Sequence, residues 1–148
     1  MVLDKDFREF IGLLNANSVR YLVVGGIAVA FHGYPRYTKD LDVWIDVSLE
    51  NAQNLLNALS EFGFGSLGLT EEDFLTEGEF TQLGYPPYRI DLITGCEGVN
   101  FAACYTDRNT IEIDGVEVNF IDLDNLRRNK VAVGRPQDMA DVANLKPA

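Results

Sequence analysis

The stretch VVGGIAVAFHGYPRYTKDLDVWID (23–46) decides how this chain folds. Its apolar start belongs to the run at 21–26, which has the pattern of a short buried strand ending in a glycine pair. The next apolar segment, 27–33, has the length of a small helix closed by Gly33. Acidic and apolar residues then alternate from 40 to 47, with the period of two that is typical of a strand. The stretch therefore predicts a strand, a glycine turn, a helix and a second strand.

Helical periodicity appears on both sides of this unit. Four apolar side chains recur at helical spacing near the N-terminus and predict a helix that ends at 15–17. Ser48 is placed to cap a helix whose apolar stripe runs over 49–59. The C-terminal residues 122–146 predict two short helices divided at Gly134.

Further strands are expected in the second half of the chain. Residues around 79–84 and 88–93 have strand character and are joined by a Tyr-Pro-Pro-Tyr corner. Asp114-Gly115, between NTIEI and VEVNFI, is a strong hairpin signal, because a tight turn needs positive φ at its centre. The whole pattern predicts an α/β (α+β mixed) fold with a small mixed sheet flanked by helices and a short C-terminal helical tail.

Length and composition favour one compact core. The chain has 148 residues, of which 47% are hydrophobic and 24% charged, and this is ordinary for one globular domain covering 1–148. The start, MVLDKDFREF, lacks the basic and apolar regions of a leader, and no apolar run reaches the roughly 18 residues of a membrane span. We expect a cytoplasmic protein without a membrane partner.

Charge and cysteine usage exclude other classes. Twelve basic against 23 acidic residues give a net charge of -11, which repels nucleic acid, so long duplex DNA is not expected as a substrate. Cys96 and Cys104 have no CxxC spacing, and His32 is the sole histidine. We interpret both cysteines as reduced core thiols, and His32 as a residue near a helix end rather than a catalytic base.

Three aspartates carry the candidate chemistry. Asp40 and Asp42 stand at i and i+2 of a predicted strand, so both side chains point to the same face from backbone positions about 6.5 Å apart and can reach one metal ion. A cation would relieve their repulsion, and oxygen ligands of this kind select magnesium or manganese over zinc. Asp91 lies among apolar strand residues, where a bare charge is costly to bury. Two explanations stay open for it: a salt bridge to Arg89 on the same face, or an approach to the other two acids from an adjacent strand.

The glycine pair Gly25-Gly26 follows a buried strand and opens a helix, so its backbone can approach a phosphate closely. The spacing is not GxGxxG and no GK[ST] follows, which excludes the dinucleotide fingerprint and the P-loop. The alternative is a tight turn that needs glycine for its backbone geometry alone.

The opening stretch resembles the hG[GS] helix and DxD strand of DNA polymerase β type nucleotidyltransferases. In particular it resembles bacterial minimal nucleotidyltransferases and the toxins of abortive-infection toxin-antitoxin pairs, with Arg36 and Thr38 in the R-x-T-x-D-[IL]-D pattern. The ending NKVAVGRPQDMADVANL (129–145) is similar to a helical tail in the same group.

That resemblance implies a role for each motif residue. Asp40, Asp42 and Asp91 would hold magnesium and catalyse transfer, while Gly25 and Gly26 would contact a nucleoside triphosphate. Many relatives have serine where Gly26 stands, so phosphate contact falls to the backbone and to other side chains. The candidates for nucleotide contact are Arg36, Thr38, Lys39, Lys130 and Arg135.

The predicted function is magnesium-dependent transfer of a nucleoside monophosphate from a triphosphate such as ATP to an acceptor hydroxyl. RNA, a protein side chain and a small molecule are candidate acceptors, and a cognate antitoxin is a candidate partner. Two alternatives stay open. One is a nucleotide-binding or partner-binding module that has lost turnover, and the other is an antibiotic-modifying nucleotidyltransferase that recognises a polycationic substrate through acidic residues.

Overall fold

The computed structural model describes residues 3–34, 39–84 and 89–145, and these form a six-stranded sheet with helices around it. The strands are β1 (Tyr21–Val24), β2 (Asp40–Ile45), β3 (Phe80–Leu83), β4 (Arg89–Ile93), β5 (Asn109–Ile113) and β6 (Val116–Phe120). Their order in the sheet is β3-β4-β2-β1-β6-β5. The β2–β4 and β1–β6 pairs are parallel and the other neighbouring pairs are antiparallel. The predicted mixed sheet is confirmed.

Local sequence explains where the helices begin and end. They are α1 (Lys5–Ala16), α2 (Gly25–Phe31), α3 (Leu49–Leu59), α4 (Phe101–Thr106), α5 (Leu123–Val133) and α6 (Pro136–Asn144). The Ser48 hydroxyl accepts a hydrogen bond from the Asn51 amide at 3.1 Å and caps α3. Gly134 takes the left-handed conformation that ends α5, and Pro136 opens α6. The predicted capping of α3 and division of the tail are confirmed.

The two faces of β2 have different surroundings, because successive side chains of a strand point to opposite sides. Leu41, Val43 and Ile45 are fully buried in the hydrophobic core. The opposite face carries Asp40, Asp42 and Trp44. The Trp44 ring lies edge-on to Phe101 of α4, with ring centroids 5.1 Å apart. One side of β2 thus anchors the strand in the core while the other presents its acids.

The hairpin between β5 and β6 forms as predicted. Asp114 and Gly115 have φ values of 51° and 85°, which is the left-handed pair that a two-residue turn requires. Ile113 pairs directly with Val116 on the other side of that turn. Since β6 also pairs with β1, the hairpin extends the sheet on the side away from the acids.

Some boundaries differ from the prediction. The strand predicted over 21–26 ends at Val24, because Gly25 and Gly26 already form the first turn of α2. The strand predicted over 40–47 ends at Ile45. Neither α4 nor the 3₁₀ helix Glu71–Phe74 was predicted, since elements this short carry almost no hydrophobic periodicity.

Two other sequence features concern the limits of the described chain. The Tyr-Pro-Pro-Tyr corner at 85–88 lies outside the residues that the structure describes. Within the described residues, no helix is both long enough and apolar enough to cross a membrane.

Candidate active site

The register of β2 and β4 brings the predicted acids together. In this parallel pair Asp42 lies opposite Asp91, and Asp40 lies opposite Arg89. Neighbouring strands are about 4.8 Å apart, so side chains in register share one face at close range. Asp40, Asp42 and Asp91 therefore stand on one face of two adjacent strands. We call these three residues and Arg89 the acidic face.

The Asp42 and Asp91 carboxyl groups perturb each other. Burial, the negative charge of Asp91 and a hydrogen bond to Asp91 together raise the pKa of Asp42 to about 7. Burial also raises the pKa of Asp91, although the Arg89 guanidinium opposes this shift. A hydrogen bond between two carboxyl groups needs one proton, and the Asp42–Asp91 pair shares it.

Arg89 neutralises part of this charge. Its Nη2 lies 3.0 Å from Asp40 Oδ2 and 3.7 Å from Asp91 Oδ2. Both explanations offered for Asp91 are thus present at once: a pairing with Arg89 and an approach to the acids of β2.

Gly25 is fitted against the acidic face. Its φ is 68°, and a Cβ added there would lie 2.0 Å from Asp42 Oδ2. Every L residue with a side chain would therefore be strained at this position and would also collide with the carboxylate. Gly25 brings the start of α2 into contact with Asp42, while Gly26 is buried beside it.

The donor set of the acidic face suits a magnesium ion in its chemistry. All three side chains offer hard carboxylate oxygens, and among the described residues Asp91 Oδ1 is buried without a hydrogen-bond partner. The geometry is less complete. In the part of the chain that the structure describes, no three His, Cys, Asp or Glu side chains already converge as a metal-binding group. Asp40 is paired with Arg89 instead.

Lys130, in the C-terminal helical tail, is a positive charge near the acidic face. Lys130 of α5 is buried and its Nζ lies 3.0 Å from Asp141 Oδ2 and 3.4 Å from Asp138 Oδ1. Its charge also lowers the pKa of Asp42, so the ammonium lies within electrostatic range of the acidic face. The predicted phosphate contact through Lys130 stays a prediction, and the side chain has a structural task as well.

Arg135 caps α6 and remains largely exposed. Its Nε donates to Asp138 Oδ2 at 2.7 Å, and 71% of its side chain is accessible. The hydrogen bond to Asp138 raises the pKa of Arg135, and the charge of Asp42 adds to the shift. Lys39 is an exposed residue immediately before β2, whereas Arg36 and Thr38 lie outside the described residues. The nucleotide contacts predicted for these four residues stay predictions.

The side chains set aside by the sequence analysis take no part in the acidic face. His32 directly follows α2, and its Nε2 lies 2.7 Å from the carbonyl oxygen of Ile121. This confirms the interpretation of His32 as a residue near a helix end. Cys96 and Cys104 are free thiols. Burial raises the pKa of Cys104 to about 11 and that of Cys96 to about 12, so both stay protonated and unreactive at neutral pH.

Comparison with protein families gives this geometry a context. The family model for nucleotidyltransferases of unknown function (DUF6036) matches residues 1–146. The chain belongs to this family. Its sheet brings the motif acids of β2 and β4 side by side, so the acidic face is the candidate site of a nucleotidyltransferase.

Solved structures share the fold. A candidate nucleotidyltransferase from Thermotoga maritima superposes with a TM-score of 0.63 at 16% identity, over 93% of this chain and 88% of that one. An antigenic nucleotidyltransferase-like protein from Paracoccidioides brasiliensis superposes with a TM-score of 0.53 at 17% identity, over 98% and 76%. At these identities the likeness shows the fold alone, and it confirms the predicted α/β class. No curated protein sequence matches the chain.

Sequence reasoning missed the carboxylates that hold Lys130. Asp138 and Asp141 stand at i and i+3 on α6, and their side chains are 2% and 0% exposed. Burial alone would raise the pKa of Asp138, but the hydrogen bond from Arg135 and the Lys130 charge hold it below its usual range. The sequence contains the pattern Lys-x₇-Asp-x₂-Asp across the break at Gly134. This pattern predicts an ion pair only if the two helices are known to pack against each other.

Substituting Gly25 should disturb both the backbone and Asp42. We expect Gly25→Ala to lower the free energy of unfolding by roughly 1–3 kcal/mol, since positive φ is strained and the carboxylate must move. Urea denaturation measures the change. Gly68→Ala is the matched control, because Gly68 has φ 75° with nothing within 4 Å of an added Cβ. Equal losses in the two variants would show that contact with Asp42 is unimportant.

Stability should depend on pH through Asp42. Its folded pKa of about 7 lies above the usual value, so its contribution is fully present below about pH 4 and is lost as pH rises through 7. We expect the free energy of unfolding in chelator to fall by roughly 1–2 kcal/mol between pH 5.5 and 8.5. Urea denaturation at both values tests this. The fall should shrink in Asp42→Asn; an unchanged fall would assign it to another group.

Proposed function

We propose that this protein is a magnesium-dependent nucleotidyltransferase of the DNA polymerase β type, with manganese as a competent substitute. The observation that carries the proposal is the pairing of Asp42 with Asp91 across β2 and β4, beside Asp40 and in contact with Gly25. Burial and the charge of Asp91 raise the pKa of Asp42, and carboxylates crowded in this way favour a divalent cation between them. Family membership supports the reaction class.

Each residue has an expected role in this reaction. Asp40, Asp42 and Asp91 would hold the metal ion, and Gly25 and Gly26 would let the triphosphate approach the start of α2. The nucleotide would contact Lys39, Lys130, Arg135, Arg36 and Thr38. Lys130 and Arg135 already lie within electrostatic range of Asp42, and this supports their assignment.

The reaction would form one bond and break another at the α-phosphorus. The acceptor oxygen attacks, the bond between the α-phosphorus and the bridging oxygen breaks, and pyrophosphate leaves. Bound magnesium supplies charge neutralisation on the phosphates. Asp91 would accept the proton of the acceptor hydroxyl, because its pKa is raised by burial and its Oδ1 has no partner among the described residues.

A cavity next to the acidic face bears on the choice of acceptor. It has a volume of about 480 Å³, and Trp44 and Phe101 form part of its wall beside Cys96. Trp44 is two residues from Asp42 on the same face, and the Asp42 charge contributes to the raised pKa of Cys96. Glu77 and Glu97 also line it. An acidic cavity favours a small, positively charged acceptor, as an antibiotic-modifying enzyme would take, over an RNA end.

The toxin interpretation rests on the resemblance of 23–46 and 129–145. Under it the acceptor would be RNA or a protein side chain, and a cognate antitoxin would cover the acidic face. The net charge of -11 weighs against RNA and leaves a protein acceptor compatible.

The decisive experiment measures pyrophosphate. The protein is incubated with magnesium or manganese and each α-labelled nucleoside triphosphate, in the presence of cell lysate, total RNA or a panel of aminoglycosides. We expect pyrophosphate release and a labelled acceptor only when a divalent cation is present. Melting temperatures are measured in parallel, and metal with triphosphate should raise them more than the sum of either alone.

Two results would contradict the proposal in different ways. A synergistic rise in melting temperature without pyrophosphate release under any condition would indicate a nucleotide-binding module that has lost turnover. No rise with metal and triphosphate would remove the acidic face as a nucleotide site altogether.

A further inference from the structure

Arg89 occupies a central position in the acidic face. Its Nη2 lies between the Oδ2 atoms of Asp40 and Asp91, at 3.0 and 3.7 Å. A divalent cation that bridged these two carboxylates would approach the same oxygens. A guanidinium and a metal ion carry charge of the same sign and cannot share them at close range.

Gln82 of β3 fixes the direction of this guanidinium. When the side-chain amide of Gln82 is oriented with its oxygen toward Arg89, this oxygen accepts hydrogen bonds from Arg89 Nε at 2.8 Å and from Nη1 at 2.9 Å. Gln82 lies opposite Asp91 in the β3–β4 register, on the same face as the acids. The guanidinium is therefore oriented so that Nε and Nη1 contact the Gln82 amide and Nη2 faces the carboxylates of Asp40 and Asp91.

A second observation shows that charge compensation by Arg89 is incomplete. Asp91 is 7% exposed in its side chain, and within the described residues its Oδ1 has no hydrogen-bond partner. Arg89 reaches only Oδ2, at the longer of its two distances. Asp42 and Gln82 also hydrogen-bond to the Asp91 carboxylate, but neither brings a positive charge to it. The negative charge of Asp91 is therefore only partly compensated, and a cation would compensate it further.

We propose that Arg89 is the built-in counter-ion of the acidic face, and that a divalent cation binds by displacing it from Asp40 and Asp91. The inference rests on the proposed metal-dependent function and adds a residue that no motif assigns. Arg89 stabilises the metal-free site and lowers its affinity for metal. The displaced guanidinium is exposed enough, at 32%, to turn toward solvent or toward a bound anion.

Metal affinity measures this role without any assay of turnover. Mn²⁺ binding to the purified chain is followed by electron paramagnetic resonance, which counts free Mn²⁺ directly. We expect Arg89→Gln to lower the dissociation constant about 10-fold, because the ion no longer competes with a fixed positive charge. The same variant should melt at a lower temperature in chelator, since Asp91 loses its nearest cation.

Three further variants control the measurement. Gln82→Leu keeps the charge but frees the guanidinium, and it should tighten Mn²⁺ binding by about 2- to 4-fold even if Arg89→Gln folds poorly. Arg89→Lys keeps a positive charge, but an ammonium group cannot contact Gln82 and both acids at once. The Mn²⁺ dissociation constant of this variant should therefore lie between those of the parent and Arg89→Gln. Arg20→Gln removes an arginine that pairs with Asp46 at 3.2 Å, outside the acidic face, and should leave the constant unchanged.

The outcomes separate the two proposals. Parent protein that binds Mn²⁺ while Arg89→Gln and Gln82→Leu bind equally or more weakly overturns the counter-ion role and leaves the metal site intact. Absence of Mn²⁺ binding in parent and variants alike overturns the counter-ion role together with the proposed metal-dependent function.

Discussion

Replacing Asp42 with asparagine is expected to reduce nucleotidyl transfer by at least roughly 10²–10³-fold, to below detection in most assays. The change keeps the shape of the side chain and removes one of the acids that pair across β2 and β4. The same variant should match or exceed the parent in stability in chelator by roughly 0–2 kcal/mol at pH 8, because one unfavourable charge disappears. Transfer of label from an α-labelled triphosphate and urea denaturation measure the two effects.

Asp46→Asn is the matched control for this prediction. Asp46 follows β2 directly, but it pairs with Arg20 rather than with the acids of β4. It should keep the response of the melting temperature to magnesium and triphosphate, which Asp42→Asn should lose. An Asp42→Asn protein that is clearly less stable in chelator, yet keeps the full ligand response, would sink the catalytic assignment.

Replacing Lys130 with methionine should have the largest effect on stability. Lys130 holds two buried carboxylates, Asp138 and Asp141, between α5 and α6. Removing the cation takes the shared partner from both buried acids, although Arg135 still pairs with Asp138 and Gln137 still donates to Asp141. Breaking a buried pair costs roughly 3–5 kcal/mol. We expect a loss of that order in the free energy of unfolding at neutral pH, measured by urea denaturation.

Charge, rather than packing, should explain that loss. A protein that combines Lys130→Met with Asp138→Asn and Asp141→Asn has none of these three buried charges, while Arg135, which loses its partner Asp138, is exposed to solvent. This protein should regain part of the stability. Lys5→Met, on the exposed side of α1, should change the free energy of unfolding by less than about 0.5 kcal/mol. If Lys130→Met lowers the free energy of unfolding by less than about 1 kcal/mol, the ion pairs of Lys130 with Asp138 and Asp141 contribute little to stability.

Local sequence patterns predicted the elements that carry their own signal. The alternation at 40–47 gave the strand and the shared face of Asp40 and Asp42, and Asp114-Gly115 gave the hairpin. Ser48 and Gly134 predicted helix ends because capping depends on neighbours within a few residues. Helix α4 was missed, since six residues with two buried side chains have too few positions to show a period.

The sequence alone determined which residue types could form the site: an i, i+2 pair of acids on a strand, a third acid in an apolar strand, and a glycine pair. Only the tertiary structure decided how these meet. Strand register aligned Asp42 with Asp91 and set Arg89 against Asp40, and no pattern within one strand specifies the register between two. Burial then fixed the chemistry, because the raised pKa of Asp42 and the pairing of Lys130 with Asp138 and Asp141 arise from desolvation and close approach across distant parts of the chain.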